Sequence, residues 1–288
     1  MSGSQLAISS GWDGWQRLAP QLRPTLINTV PSIAMRLLDL PPASREMSRL
    51  RLVGCGGAAL SADAFERFRL RGITVIQGYG MTETSPVICS ATPENARAGC
   101  VGTPVAGWQT RVDAQGRLAV RGEGVMIGYW GDSDTTAQRC IDGWIDTGDI
   151  VEVDSTDGQF RILGRADDRI TLANGRKLYP LPIEQQVMGI PQVRHALLVA
   201  ANRHTELWID VQDCMEPKNW GDVIKRHLCD LEAWKLPRRI FIMPQSLAEI
   251  PGMLTAKGTP VRPRAIAQIR IWQNDPSISA QSIGAAAQ

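Results

Sequence analysis

The densest chemistry in this chain lies in Gln77–Pro86, which reads QGYGMTETSP. A glycine stands on each side of Tyr79, a hydroxyl–carboxylate–hydroxyl triplet follows at Thr82, Glu83 and Thr84, and Pro86 closes the stretch. Small residues such as Gly80 let backbone N–H groups approach phosphate oxygens, and an exposed Tyr79 ring would offer a flat face to a base. Glu83 among hydroxyls suits a hard cation such as Mg²⁺. The same residues also fit an ordinary strand–turn with a capping threonine. Two further clusters bear on the question. Residues 54–59 follow the pattern GxGxxA after a strand, but the acidic residue that a nicotinamide site needs at the end of the next strand is missing, since Ile76 leads into Gln77. Close backbone approach at Gly56 and Gly57 remains implied. In GWIDTGD, a carboxylate fixed at Asp146–Asp149 could accept hydrogen bonds from ribose hydroxyls, while a plain Asx-turn is the simpler reading of those residues taken alone.

The elements around these clusters suit a ligand site at a strand end. Gly72–Ile76 (GITVI) is a β-branched run that empties into the Gly-rich stretch. Upstream, Thr25–Thr29 is a strand, a helix opens at Pro31 or Ser32, Leu50–Val53 is a second strand, and Ser61 caps a helix with Phe65 and Phe68 on one face. Strand–helix–strand–helix–strand with short joints predicts a parallel sheet flanked by helices, with ligands at the strand ends. From Gly99 the texture shifts to short alternating runs split by glycines, a small β-meander or distorted barrel, with a helix over SDTTAQRC and a strand–turn–strand whose turn is Asp146–Asp149. Gly164–Gln185 reads as an exposed joint, and Pro182 begins a helix. The segments HALLVAAN and ELWIDVQD, then a helix bearing Ile224, Leu228 and Leu231, and the strand RRIFIMP form a separate α+β unit. The tail beyond Trp272 is small and polar and is expected to be disordered.

Composition narrows the class. With 288 residues, a formal charge of +2 and scattered basic residues, nothing points to nucleic acid. No apolar run reaches transmembrane length, and the first residues lack the apolar core of a signal peptide. The six cysteines form no CxxC pair and read as reduced thiols of a cytoplasmic protein. His195, His204 and His227 have no ligand-spaced partner and read as surface or satisfied core residues.

Seven segments, in order, carry a family resemblance: GGAAL (56–60), QGYGMTETSPV (77–87), VGTPVAG (101–107), GEGVMIGYW (122–130), GWIDTGD (143–149), LGRADDRITLANGRKLYPLPIE (163–184) and GMLTAKGTPVR (252–262). On these the chain resembles the adenylate-forming acid:CoA ligases, the acyl-CoA synthetase superfamily, with the long-chain fatty acyl branch nearest in style. The resemblance implies an α/β fold: the C-terminal portion of a large AMP-binding domain over 1–163, with parallel sheet and small β-barrel-like subdomain. A hinge over 164–170 and an α+β lid over 171–272 follow. It implies ATP or AMP, Mg²⁺ and CoA, or the pantetheine of a carrier protein, with a carboxylic acid as partner substrate. By matching motif positions, Tyr79 would stack on adenine with Gly56, Gly57 and Gly80 nearby. Thr82 would contact the α-phosphate, Glu83 would bind Mg²⁺, Asp149 the ribose hydroxyls and Arg165 the ribose or phosphate, with Asp167 as the hinge.

The chain departs from the family pattern in three places. The family's N-terminal half, with its Ser/Thr/Gly-rich phosphate loop, has no counterpart in these residues, so a split or truncated enzyme with a separate N-terminal half stands beside a catalytically impaired remnant that binds AMP or acyl-adenylate. The place of the family's catalytic lysine is held by Thr259, with Lys257 two residues earlier. On an extended segment the two would share a face, so Lys257 is the candidate substitute. A lysine common six residues after Arg165 is Thr171 here.

Overall fold

The computed structural model describes residues 5–9, 11–201, 204–212, 219–255 and 257–282. Its first sheet has the order β1-β2-β3-β4-β5. Strands β1 (Leu26–Thr29), β2 (Leu52–Cys55) and β3 (Thr74–Tyr79) run parallel, with Val53 paired to Ile27 on one side and Val75 on the other. Short strands β4 (Cys89–Ser90) and β5 (Thr103–Pro104) add on antiparallel. Helices α2 (Pro31–Asp39) and α3 (Ala62–Leu70) join the parallel strands as expected. Ser61 accepts a hydrogen bond from the Ala64 N–H at 3.2 Å and so starts α3. Leu37, Leu38 and Phe68 close over Val53 and Val75 in one core. That core also takes Trp12, Trp15 and Ala19 from α1 (Gly11–Leu22), a helix the sequence reading left out.

The second sheet is the antiparallel meander, with β10 (Phe160–Arg165), β9 (Trp144–Val153), β7 (Arg117–Arg121) and β6 (Gln109–Val112) side by side. Helix α4 (Ser133–Arg139) leads into β8 (Cys140–Ile141), which also pairs with β9. One expectation is corrected: Asp146–Asp149 is not a turn between strands, because β9 runs through it. Ala119 faces Asp146 while Arg117 faces Ile150, so the segment bulges out of the ladder against β7.

The third sheet follows a ribbon of β11 (Ile170–Thr171) and β12 (Lys177–Leu178) and the helix α5 (Pro180–Val187). Its order is β13 (Val193–Ala201), β14 (His204–Val211), β15 (Arg239–Ile242) and β16 (Gln281–Ser282). Successive residues face opposite ways. Leu198 and Leu207 pack with α5 and α6 (Trp220–His227), and Leu197 and Trp208 pack with α7 (Arg262–Trp272). Two expectations change here, and one helix start is added. The joint at 164–185 is not wholly exposed: Ile170, Leu178, Ile183 and Glu184 are buried. The cluster Arg262-Pro263-Arg264 opens α7, with proline in its first turn, where a missing N–H costs nothing. The tail is not disordered through residue 282. Ile278 and Ala280 pack against the core, β16 pairs with β15, and the Gln281 side chain accepts from the Trp220 N–H at 2.8 Å. Backbone pairing at a sheet edge needs no apolar side chains, so composition could not reveal it. Residues 283–288 and Cys214 lie outside the described residues.

Candidate active site

The C-terminal end of β3 and the bulge in β9 meet through one short hydrogen bond. Tyr79 Oη donates to Asp149 Oδ2 at 2.6 Å. The strand extends through Tyr79, so the turn begins only at Gly80, and the Tyr79 ring is half-buried where exposure was expected. Burial, and then the Asp149 carboxylate, push the Tyr79 phenol well above its ordinary range, which keeps it a donor. The other Asp149 oxygen accepts from Arg165 Nη1 at 3.1 Å, and the same nitrogen donates to the Thr147 carbonyl at 2.8 Å. Gly148 at φ +71° lets the bulge come this close, since a Cβ there would stand 2.6 Å from Arg165 Nη2. Within the same four residues Asp146 serves the scaffold: it pairs with Arg117 at 2.7 Å, and Gly148 N donates to it at 2.9 Å.

Beyond Tyr79 the chain turns sharply. Gly80 tolerates no side chain, because a Cβ would overlap the Pro86 carbonyl. Thr82–Thr84 is one turn of 3₁₀ helix. Thr84 is buried and uses its hydroxyl inside the loop, accepting from Met81 N at 3.1 Å and donating to Met81 O at 2.9 Å. Thr82 is exposed. Glu83 accepts from Tyr129 Oη at 2.9 Å, and the Glu83 carbonyl accepts from Met126 N at 2.8 Å, so the GEGVMIGYW segment wraps the TET turn. Tyr129 received no role from the sequence. Its partner lies 46 residues away and no spacing signal links them.

Glu83 forms no ion pair among the described residues, and no group of three His, Cys, Asp or Glu side chains gathers there to hold a metal. A lone carboxylate with one oxygen hydrogen-bonded to a phenol fits Mg²⁺ in the way such ions bind beside phosphates, with ligand oxygens and water completing the shell.

Gly56 and Gly57 follow β2. The space above Gly56 is open, whereas a Cβ on Gly57 would stand 3.2 Å from Lys257 Cδ and 3.4 Å from its Nζ. Lys257 therefore comes from the third sheet's side of the molecule to the glycine turn, and it makes no ion pair with Glu83. Its segment is not extended as expected. Leu254 and Pro260 bridge antiparallel and Thr255 N donates to Thr259 O at 2.9 Å, so Lys257 sits near the tip of a hairpin and Thr259 on its returning arm. Asp167 and Asp168 lie in a 3₁₀ turn directly after Arg165, and Asp168 pairs with Arg262 at 3.6 Å. Two surface hollows, of about 370 Å³ beside Val223 and His227 and about 320 Å³ beside Glu152 and Arg161, are lined by neither Tyr79 nor Glu83.

Comparison with known proteins identifies the family and the fold. The sequence profile of the AMP-binding enzymes matches residues 1–130, and that of the AMP-binding enzyme C-terminal domain matches residues 167–219. A feruloyl-CoA synthase of an Amycolatopsis species is 31% identical over 214 residues, covering 69% of this chain and 43% of its own length. A long-chain-fatty-acid–CoA ligase of Mycobacterium bovis is 37% identical over 144 residues, covering 50% of this chain and 24% of its own. Among solved structures, an anthranilate CoA ligase in complex with anthranoyl-AMP superposes with a TM-score of 0.76 at 24% identity, over 88% of this chain and 51% of that one. The chain belongs to the AMP-binding enzymes, the adenylate-forming ligase family. It spans less than half the length of these two curated relatives.

Proposed function

We propose that these residues form the C-terminal part of an AMP-forming acid–thiol ligase. In the first half-reaction a substrate carboxylate oxygen attacks the α-phosphorus of ATP and the bond to pyrophosphate breaks, leaving acyl-AMP. In the second, the thiolate of CoA or of a carrier-protein pantetheine attacks the acyl carbon and AMP departs. The observation that carries the reading is the Tyr79–Asp149–Arg165 chain beside the exposed Thr82 and the Glu83 carboxylate, all at one strand end. Attack at a phosphoryl centre asks for positioning and charge neutralisation more than for an acid or base, and these side chains supply both.

In this reading the Tyr79 ring takes adenine beside Gly56, Gly57 and Gly80. Asp149 has lone pairs left for ribose hydroxyls after accepting from Tyr79 and Arg165. Thr82 donates to the α-phosphate. Glu83 holds Mg²⁺, whose charge would offset that of the phosphates. Lys257 replaces the family lysine from the hairpin tip, and the turn at Asp167 is the hinge on which the unit 171–272 swings between half-reactions. The β- and γ-phosphates then need a cradle contributed by a further segment or a separate N-terminal half. The edge strand β1, which among the described residues pairs on one side only, and the fully exposed Ile127 and Trp130 support such a neighbour. A fatty acid is the first substrate to try, with feruloyl and anthranilic acids beside it.

The test is carboxylate-dependent ATP–pyrophosphate exchange by this chain, alone and with a candidate N-terminal half, together with thioester formation from preformed acyl-AMP. Lys257→Ala is expected to lower exchange far more than thioester formation. Failure of both half-reactions in both settings would refute the ligase reading. Tight AMP binding with no turnover would favour the second reading, an AMP or acyl-adenylate binding module, which the threonine at position 259 supports.

A further inference from the structure

The hairpin that carries Lys257 is tied to the third sheet by His195, a residue to which neither motif nor site assigns a role. The hairpin is stitched internally: Gly258 N donates to Thr255 O at 2.9 Å, and Thr255 Oγ1 accepts from Lys257 N at 3.3 Å and Thr259 N at 3.2 Å. Such a unit moves as one piece unless something outside it fixes its tilt. Among the described residues, the hydrogen bond that reaches it from outside is His195 Nε2 to the Gly258 carbonyl oxygen, at 3.2 Å.

The other face of the ring decides what this contact requires. His195 Nδ1 lies 3.1 Å from Asp210 Oδ2, its cross-strand partner on β14. Asp210 is almost fully buried, and it also accepts from Ser246 Oγ at 2.9 Å, Leu247 N at 3.1 Å and Arg194 Nε at 3.1 Å. A carboxylate receiving that many donors stays ionised and accepts only, and a carbonyl oxygen also only accepts. A neutral imidazole has one N–H and can satisfy one of the two. Both contacts exist together only when both ring nitrogens carry hydrogen.

The geometry points to His195 as a positioning residue: as an imidazolium it spans Asp210 and the Gly258 carbonyl and sets the place of Lys257, one residue away. When the ring gives up its second proton, the bond to the carboxylate keeps the remaining hydrogen and the bond to Gly258 is lost, so the hairpin loosens as pH rises. The charged groups at the ring are Asp210 across the sheet and Arg194, which pairs with the other Asp210 oxygen. The link to catalysis rests on the reading of Lys257 above, whereas the latch itself does not.

The experiment is long-range ¹H–¹⁵N NMR of the His195 ring in the full chain across pH, with hydrogen exchange at the Gly258 and Thr259 amides in the same samples. Both ring nitrogens are expected to be protonated at the acid end. Loss of the Nε2 proton should coincide with exchange of the two amides about tenfold faster than the intrinsic pH dependence, the factor one charge-assisted hydrogen bond is worth. His195→Phe should show the faster exchange at every pH, and His195→Gln, which keeps a donor, should restore slow exchange. A single N–H tautomer throughout, or unchanged protection of Gly258 and Thr259 in His195→Phe with β13–β14 amides still protected, would overturn the proposal. No step needs turnover, so a latched hairpin with a neutral Lys257→Ala would count against the catalytic reading of Lys257 and leave the latch standing.

Discussion

Replacing Arg262 by leucine should destabilise the third sheet strongly, by an amount that shrinks as pH falls. Arg262 Nη1 donates to Glu184 Oε1 at 2.7 Å, Nη2 donates to the Leu198 carbonyl at 2.6 Å, and Nε pairs with Asp168 at 3.6 Å. Glu184 is 5% exposed and also receives the Leu198 N–H at 2.7 Å. Removing the guanidinium leaves a buried carboxylate with one remaining donor, and breaking one partner of a buried pair costs about 3–5 kcal/mol. Protonation limits that cost. Burial already pushes the Glu184 carboxyl above its ordinary value, against the pull of Arg262, so in the variant its folded-state value rises further. A raised carboxyl binds its proton more tightly folded than unfolded, so stability is regained as pH falls through the folded-state value. Adding Glu184→Gln to Arg262→Leu should recover most of the loss at neutral pH. The readout is hydrogen exchange of β13 and β14 amides, because three sheets need not unfold as one transition. A loss below about 1 kcal/mol that does not vary with pH would mean that the pair behaves as a solvated surface bridge, and the burial argument would fail.

Other outcomes follow from the same contacts. Tyr79→Phe keeps the ring but removes the donor to Asp149, and should weaken AMP binding by about tenfold in calorimetry, the worth of one hydrogen bond to a charged group. Tyr129→Phe should leave AMP affinity unchanged while raising the Mg²⁺ concentration needed for half-maximal exchange, because Glu83 loses the hydrogen bond that orients its carboxylate while Tyr79 and Asp149 are untouched. Burial works to raise the Asp210 carboxyl, but hydrogen bonds from His195 and Ser246 and the charge of Arg194 outweigh it and hold it low. Its stabilising share is therefore present above the ordinary carboxylate range and lost as pH falls through the depressed value, a dependence that Asp210→Asn should abolish in urea unfolding followed by pH. Cys55 and Cys89 are buried with thiols pushed up to about 12, so alkylation of the native chain should mark the exposed Cys229 and spare both, as peptide mapping would show.

The parallel strands and their helices were legible because each signal was local. Ser61 before an apolar helix face and the β-branched run before Gln77 report on themselves. Elements set by remote partners were not. In β9 the residues Asp146–Asp149 have the composition of a turn, and a bulge inside a strand uses the same residue types; only Arg117 and Ala119, nearly thirty residues earlier, distinguish the two. Helix α1 has Trp12, Trp15 and Ala19 at helical spacing, but Gly11, Gly14 and Pro20 dilute its propensity. In α7 the spacing of Ala265, Ile269 and Trp272 was present behind a basic, proline-bearing start. The final strand, β16, has no side-chain pattern because its backbone pairs at an edge.

The candidate site divides along the same line. Residue types were readable from the motifs, but which of them stay available to a ligand depends on what the fold already uses. Of the triplet, Thr84 is committed to its own loop, Glu83 has one oxygen on Tyr129, and Thr82 is exposed. Of the two aspartates in the bulge, Asp146 is held by Arg117 and Gly148, whereas Asp149 sits between Tyr79 and Arg165 at the mouth of the strand. Subtracting these internal bonds from each motif leaves Thr82, part of Glu83, the spare lone pairs of Asp149 and the ammonium of Lys257. In the proposed reading that remainder supplies one hydroxyl donor, one cation ligand, one ribose acceptor and one positive charge. These are the groups a nucleoside monophosphate leaving or joining a carboxylate must meet, and the contacts that withdraw Thr84 and Asp146 from the site are the ones that hold the remainder in place.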